Sequence, residues 1–275
     1  MKKALLAFPM LALGAALAAA AGGENTVPEA TPAAADDRLA IAHRGLVLID
    51  PTGRDRDVLT RHRGWLDYSP TWSPDGRRIA FTRTTNGYRS FQVYIKKVAG
   101  GPARRLTQGR FDEDPAWSPD GDLIAYGSQR GLKVIRPDGS GARVLGRLGE
   151  AGGAAWSPDG RRLAFVRERH VWIGRLNGKG VRRIVRGSDP DWSPNGEKLA
   201  YMPPHGGVAT IGADGAGRRY LHDGMLPAWS PDGKRIAFQR WPANDVFSTW
   251  VMSAEGKHVR RVTRRGGYPA WRPPR

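Results

Sequence analysis

Cysteine is absent from all 275 residues. That excludes a disulfide framework, thiolate chemistry and attachment of a lipid through an N-terminal cysteine. Acid is also scarce, with 26 Asp and Glu against 44 Lys and Arg, for a formal net charge of +18. Such a surplus draws a protein toward anionic surfaces such as cell-wall polymers or phospholipid headgroups. The basic residues are nonetheless dispersed along the chain, which equally suits solubilising charges on exposed turns. Long helical periodicity is missing, and there is one long apolar run, residues 4–21, behind Lys2-Lys3. Its 18 residues sit at the lower limit for a membrane span, and Pro9 and Gly14 interrupt it. With small residues at 18–21 it reads as an export signal that is removed, after which the charge falls to +16. Residues 22–37, rich in Ala, Pro and acid, read as a flexible tether.

What the chain does have is turns, aromatics and repetition: 36 Gly, 21 Pro and 10 Trp. The sentence Trp72-Ser73-Pro74-Asp75-Gly76, followed by Arg77-Arg78-Ile79-Ala80-Phe81, returns at Trp117, Trp156, Trp192 and Trp229, and a sixth copy opens at Trp271. Pro presets φ, Asp suits the next position and Gly accepts positive φ, so Ser-Pro-Asp-Gly is a tight hairpin turn. In the copy at Trp72 the four strands expected are the Trp segment (A), 79–83 (B), 91–97 (C) and 103–107 (D). Strand B alternates large and small residues with both faces apolar, so each sheet must be covered on both sides. Four-stranded sheets stacked around an axis meet that demand, which predicts an all-β protein folded as a β-propeller. Pro70, Pro115, Pro190, Pro227 and Pro269 lie two residues before a Trp. Proline cannot donate to a ladder, so strand A has an unpaired edge and is innermost. Residues 38–42 match a strand B with no strand A before it, while Trp271 belongs to a strand A with no partner after it. Joining them gives six blades over residues 38–275, with the two ends sharing one blade.

These residues resemble the WSPDG-type repeats of the TolB-like β-propellers, over roughly residues 38–275. The resemblance implies a periplasmic or secreted propeller that binds a protein partner, such as a peptidoglycan-associated lipoprotein. It also brings in relatives attached to prolyl-oligopeptidase-like peptidases and some oligogalacturonide lyases. The TolB N-terminal domain and the peptidase's hydrolase domain have no counterpart, so a stand-alone propeller is expected. No Gly-x-Ser-x-Gly elbow occurs, and Ser-Pro-Asp-Gly has the wrong spacing for a sialidase Asp-box.

The D–A and B–C loops share one face, the expected binding mouth. Candidate binding residues there are acids shortly before five of the six Trp, namely Asp67, Asp112, Asp114, Glu150, Asp189 and Asp223. Around them stand Arg83, Arg167, Arg240 and Trp241. An acidic centre inside a basic rim suits a protein or peptide of the cell envelope, though the same acids could simply make Asx turns. The residue three before each Trp varies from copy to copy (Ser69, Asp114, Gly153, Asp189, Leu226, Tyr268), as a recognition surface requires. His43, His62, His170, His205 and His222 also map to this face without forming a metal-ligand motif, so no metal, cofactor or catalytic residue is expected. The expectation is a monomeric, non-enzymatic binding module. A lyase or glycoside hydrolase and an electrostatic binder of anionic envelope polymers are the alternatives; specific nucleic-acid recognition is not expected.

Overall fold

A computed structural model of the protein describes residues 37–43, 45–61, 64–85, 89–148, 151–241 and 247–274. Residues 1–36, which include the stretch read as an export signal and all but the last residue of that read as a tether, lie outside the described residues, as do His62 and Glu150. Six four-stranded antiparallel sheets form the described chain, each ordered A-B-C-D. They are numbered here in chain order. Blade two runs from strand A at Leu66–Trp72 through Arg78–Thr85 and Ser90–Lys97 to strand D at Arg104–Arg105. Blade one is closed by the last strand, Gly267–Trp271, which pairs with Leu39–Ala42 in the register Leu39↔Trp271 and Ala40↔Ala270. The closure and the six-blade count are those read from the repeats.

The Ser-Pro-Asp-Gly turns are built alike. In blade two Ser73 Oγ accepts the Arg78 N–H at 2.9 Å, and Gly76, at φ 64°, donates its N–H to the Ser73 carbonyl at 2.8 Å. The Ser118 hydroxyl holds Asp120 below the usual carboxylate range, and the Ser157 hydroxyl does the same for Asp159. Packing between blades uses the large/small alternation of strand B. Ala80, Val93 and Ile95 of blade two cluster with Trp117, Ile124 and Tyr126 of blade three. The small face lets the next blade approach, and fully burying one such side chain as Phe81 contributes about 1.5–3 kcal/mol. Arginines cap the tryptophans from the preceding blade: Arg78 lies 5.0 Å from the Trp117 ring, Arg162 4.8 Å from Trp192 and Arg235 4.7 Å from Trp271. Part of the basic surplus is therefore structural. Five repeat tryptophans are buried and Trp156 is half-buried.

Strand A holds a feature that the prolines only hinted at. In every blade its register slips between the fourth and the first residue before the Trp, as in Tyr68↔Thr82 followed by Thr71↔Ala80. Two residues oppose one, which is a β-bulge. The proline is the second bulged residue, where its missing N–H is no loss to the ladder. The first bulged residue is left-handed in all six copies: Ser69, Asp114, Gly153, Asp189, Leu226 and Tyr268 have φ between 48° and 51°.

Candidate binding site at the channel mouth

The six left-handed residues are the variable positions of the repeat, and inner-strand contacts run between blades around them. Ser69 Oγ of blade two donates to Asp114 of blade three at 2.6 Å. Tyr68 of blade two lies 5.4 Å, ring to ring, from Tyr268 of blade one. The Asp114 charge of blade three reaches Asp189 of blade five. Blade four stands between those two, so the field crosses the channel. Neighbouring strands B steady the bulges: Thr82 Oγ1 accepts the Asp114 N–H at 3.0 Å, and Gln239 Oε1 accepts the Tyr268 N–H at 3.1 Å.

Burial raises the carboxyls gathered here. Glu113, next to Asp114, is pushed up to about 7 by burial and then by the Asp114 charge, while a hydrogen bond from Tyr68 Oη at 3.3 Å opposes the rise. Asp114 is raised by burial against the Ser69 hydrogen bond. Asp189 rises to about 6 through burial, offset by the Ser188 hydroxyl at 2.8 Å. Tyr68 is raised by burial and by Asp114 and Glu113. A ring path, Phe111 to Phe91 to Tyr68 to Tyr268, leads from the blade-three loop to the carboxyls with centroid spacings of 5.8, 6.3 and 5.4 Å. The mouth therefore joins aromatic surface to carboxyls that change charge near neutral pH, a combination suited to cationic or hydrogen-bonding groups.

The candidate residues separate by position. Asp114 and Asp189 line the channel, and Glu113 joins them. Asp67 and Asp112, two residues earlier, are buried and committed elsewhere. Asp67 accepts a bidentate pair from Arg83 at 2.6 and 2.8 Å and a third bond from Thr60 at 2.6 Å. Asp112 accepts the Gly109 N–H at 2.8 Å, a bond back across the D–A loop three residues upstream. Asp223 is exposed and accepts the Tyr220 hydroxyl. The three arginines sit in equivalent places against strand C of their own blades: Arg83 4.7 Å from Tyr94, Arg167 3.7 Å from Trp172 and Arg240 4.8 Å from Trp250. Trp241 is 47% exposed on its loop, edge-on to Phe247. Among the described residues the histidines form no metal-ligating group, and no three His, Asp or Glu are placed to hold a metal ion. His170 and His222 bond the carbonyls of Glu168 and Asp223.

Sequence reasoning passed over Glu113 and Asp191. Asp191 precedes Trp192, accepts the Trp229 N–H of the next blade at 2.7 Å, and is pushed up to about 7 by burial. Its signal was available: that position is Ala in four copies, and only Thr71 and Asp191 are polar.

No family model matches the chain. A curated relative, the Tol-Pal system protein TolB 1 of Novosphingobium aromaticivorans, is 39% identical over 62 residues. That stretch is 22% of this chain and 13% of the relative. TolB from Acinetobacter baumannii superposes with a TM-score of 0.75 at 19% identity, covering 86% of this chain and 67% of that one. A putative TolB from Agrobacterium tumefaciens gives 0.69 at 20% identity, covering 84% and 91%. An oligogalacturonate lyase from Vibrio parahaemolyticus gives 0.52 at 12% identity, covering 75% and 71%. The chain is thus a six-bladed β-propeller with the fold of the TolB propellers.

Proposed function

We propose that the protein is a non-catalytic binding propeller of the cell envelope that holds a protein or peptide at the channel mouth. One observation carries this reading. Six bulges with one backbone conformation set five different residue types at equivalent places on the inner strands around the channel. A constant frame with variable side chains is the arrangement that a recognition surface uses, and left-handed non-glycine residues store strain that functional sites tolerate. Likeness to TolB, one relative of which is a Tol-Pal system protein, supports an envelope setting. So does the basic, apolar leader at residues 1–21, which we read as directing export to the periplasm or beyond. The channel carboxyls and rings fit a partner segment carrying Lys, Arg or an amino terminus. Affinity capture from envelope extract with wild type and with Asp114→Asn/Asp189→Asn tests the proposal. The double variant is expected to lose the captured partner, and identical capture profiles would sink the reading.

One observation favours a second reading, a carboxylate enzyme: Glu113 is held near 7, where a general acid works at neutral pH. Turnover of an acidic or neutral polysaccharide that vanishes in Glu113→Gln would replace the binding module with a lyase or glycosidase.

A further inference from the structure

Charge is not shared evenly among the blades. Counted from the first residue of one strand A to the next, blades two, four and six carry net +6, +7 and +5. Blades three and five carry −1 and −2, and blade one, with residues 37–65 and 267–275, carries +4. The three most basic blades therefore alternate around the ring, and blade one joins blades six and two in a continuous basic arc.

The basic charge is most regular on the outermost strand. Strand D of blades two, four and six presents the exposed pairs Arg104-Arg105, Arg182-Arg183 and Arg260-Arg261. The first arginine of each pair is fixed. Arg104 donates to the Pro137 carbonyl at 2.6 Å, Arg182 donates to those of Ala213 and Asp214, and Arg260 donates to Pro51 at 2.6 Å. Each acceptor lies in the C–D turn of the following blade, so this arginine stitches two blades together at the rim. The second arginine stays outside that stitch: consecutive strand residues point to opposite faces, so it stands on the other side of the blade. There Arg105 donates to the Thr107 carbonyl at 2.7 Å, Arg261 lies 5.8 Å from the Trp250 ring, and all three remain exposed. Edge protection does not account for the doubling. Within strand D, blades one, three and five mix one arginine with Asp57, Val144 or Tyr220 on what is also an outer edge, and in blade five a second exposed arginine, Arg218, lies just before the strand. Each pair thus sets a guanidinium on either side of the outer strand, and the planar fork of donors on each matches a phosphate.

We propose that the outer walls of blades two, four and six bind a linear polymer bearing repeated phosphates, running around the rim. Alternate blades of a six-bladed ring stand roughly 120° apart about the axis. Three basic lobes so placed cannot all meet one flat membrane through the side wall, whereas a flexible chain can pass from lobe to lobe. The surface is separate from the channel mouth, and the proposal holds whether or not a peptide binds there.

The test titrates full-length protein with long-chain inorganic polyphosphate, with tripolyphosphate, and with vesicles of anionic phospholipid, over a range of salt. Two variants of equal charge loss are compared: Arg105→Gln/Arg183→Gln/Arg261→Gln, and Arg56→Gln/Arg143→Gln/Arg219→Gln from strand D of the other three blades. Circular dichroism confirms that both fold. Long polyphosphate is expected to bind much more tightly than tripolyphosphate, because a chain that spans lobes gains effective concentration. The first variant is expected to lose more than about tenfold in affinity and about three in the slope of log K against log salt, while the second loses far less. Equal losses in the two variants would reduce the effect to net charge and overturn the proposal. So would absence of polyphosphate binding, or vesicle binding with the same dependence on Arg105, Arg183 and Arg261.

Discussion

The residue before each repeat tryptophan decides how neighbouring blades are tied at the axis. Where it is alanine, the next blade's indole donates to its carbonyl, as Trp72 does to Ala270 at 3.1 Å, Trp156 to Ala116 at 3.1 Å, Trp192 to Ala155 at 3.2 Å and Trp271 to Ala228 at 3.0 Å. Where it is polar, the tie moves to the tryptophan's backbone N–H: Trp117 donates to Thr71 Oγ1 at 3.4 Å and Trp229 to Asp191 at 2.7 Å. The Trp229 indole N–H then has no partner among the described residues. Asp191→Ala should restore the alanine arrangement and slow hydrogen exchange of the Trp229 indole proton. The substitution also removes a titration. Asp191 in the folded protein is raised to about 7, above the ordinary value of about 4. The native state therefore binds the proton more tightly, and this group's contribution is full below about pH 4 and lost as pH climbs to about 7. Unfolding curves at pH 5 and pH 8 should show the variant gaining on wild type as pH rises. A gap independent of pH would mean that Asp191 titrates normally.

Backbone strain at the bulges belongs to the element. A left-handed non-glycine residue costs about 1–3 kcal/mol, and Leu226 and Tyr268 are unusual occupants of that region. Leu226 is half-buried, so shortening it sacrifices modest packing. Leu226→Gly should be more stable than Leu226→Ala by about 1 kcal/mol in equilibrium denaturation, because only glycine relieves φ 51°. Alanine equal to or better than glycine would show the bulge to be unstrained. The bulge also explains how much of the site could be read beforehand. Turns, closure and inner strand were written in Pro, Gly and Trp at fixed spacing. The left-handed kink was not, since Ser, Asp, Gly, Leu and Tyr share no local chemistry that announces positive φ. Without it, Asp112 and Asp114 looked equivalent. One bonds back across its loop and the other lines the channel because the two bulged residues turn the strand between them and the Trp. Glu113 passed unnoticed for the same reason, as its position facing Tyr68 depends on the kink.

At the scale of the whole molecule, stability rests on a ring that must close. Each hydrophobic cluster joins two blades, and the cluster of Leu39, Ile41, Val47 and Ile49 with Ala237, Val251 and Trp271 needs the last strand in place. That strand also seats Arg272, whose N–H donates to the Arg38 carbonyl at 2.8 Å and whose guanidinium donates to Gly76 at 3.1 Å and lies 5.3 Å from the Trp72 ring. Removing residues 267–275 opens two liabilities together. The Leu39–Ala42 strand becomes an unpaired edge, and the apolar faces of blades six and one lose the tryptophan between them. Because the loss falls at the point where every other blade's packing is completed, the truncated chain should lose cooperative unfolding and self-associate through the open edge. Light scattering and thermal denaturation measure both effects. A peptide of residues 267–275 added in trans should restore a single transition by supplying the missing strand. Substituting Trp271→Ala in that peptide should weaken the rescue, since the indole's bond to Ala228 and its burial are what the ladder alone does not supply. A truncated chain that stays monomeric and melts as wild type does would show that five blades and a partial sixth hold the ring without closure.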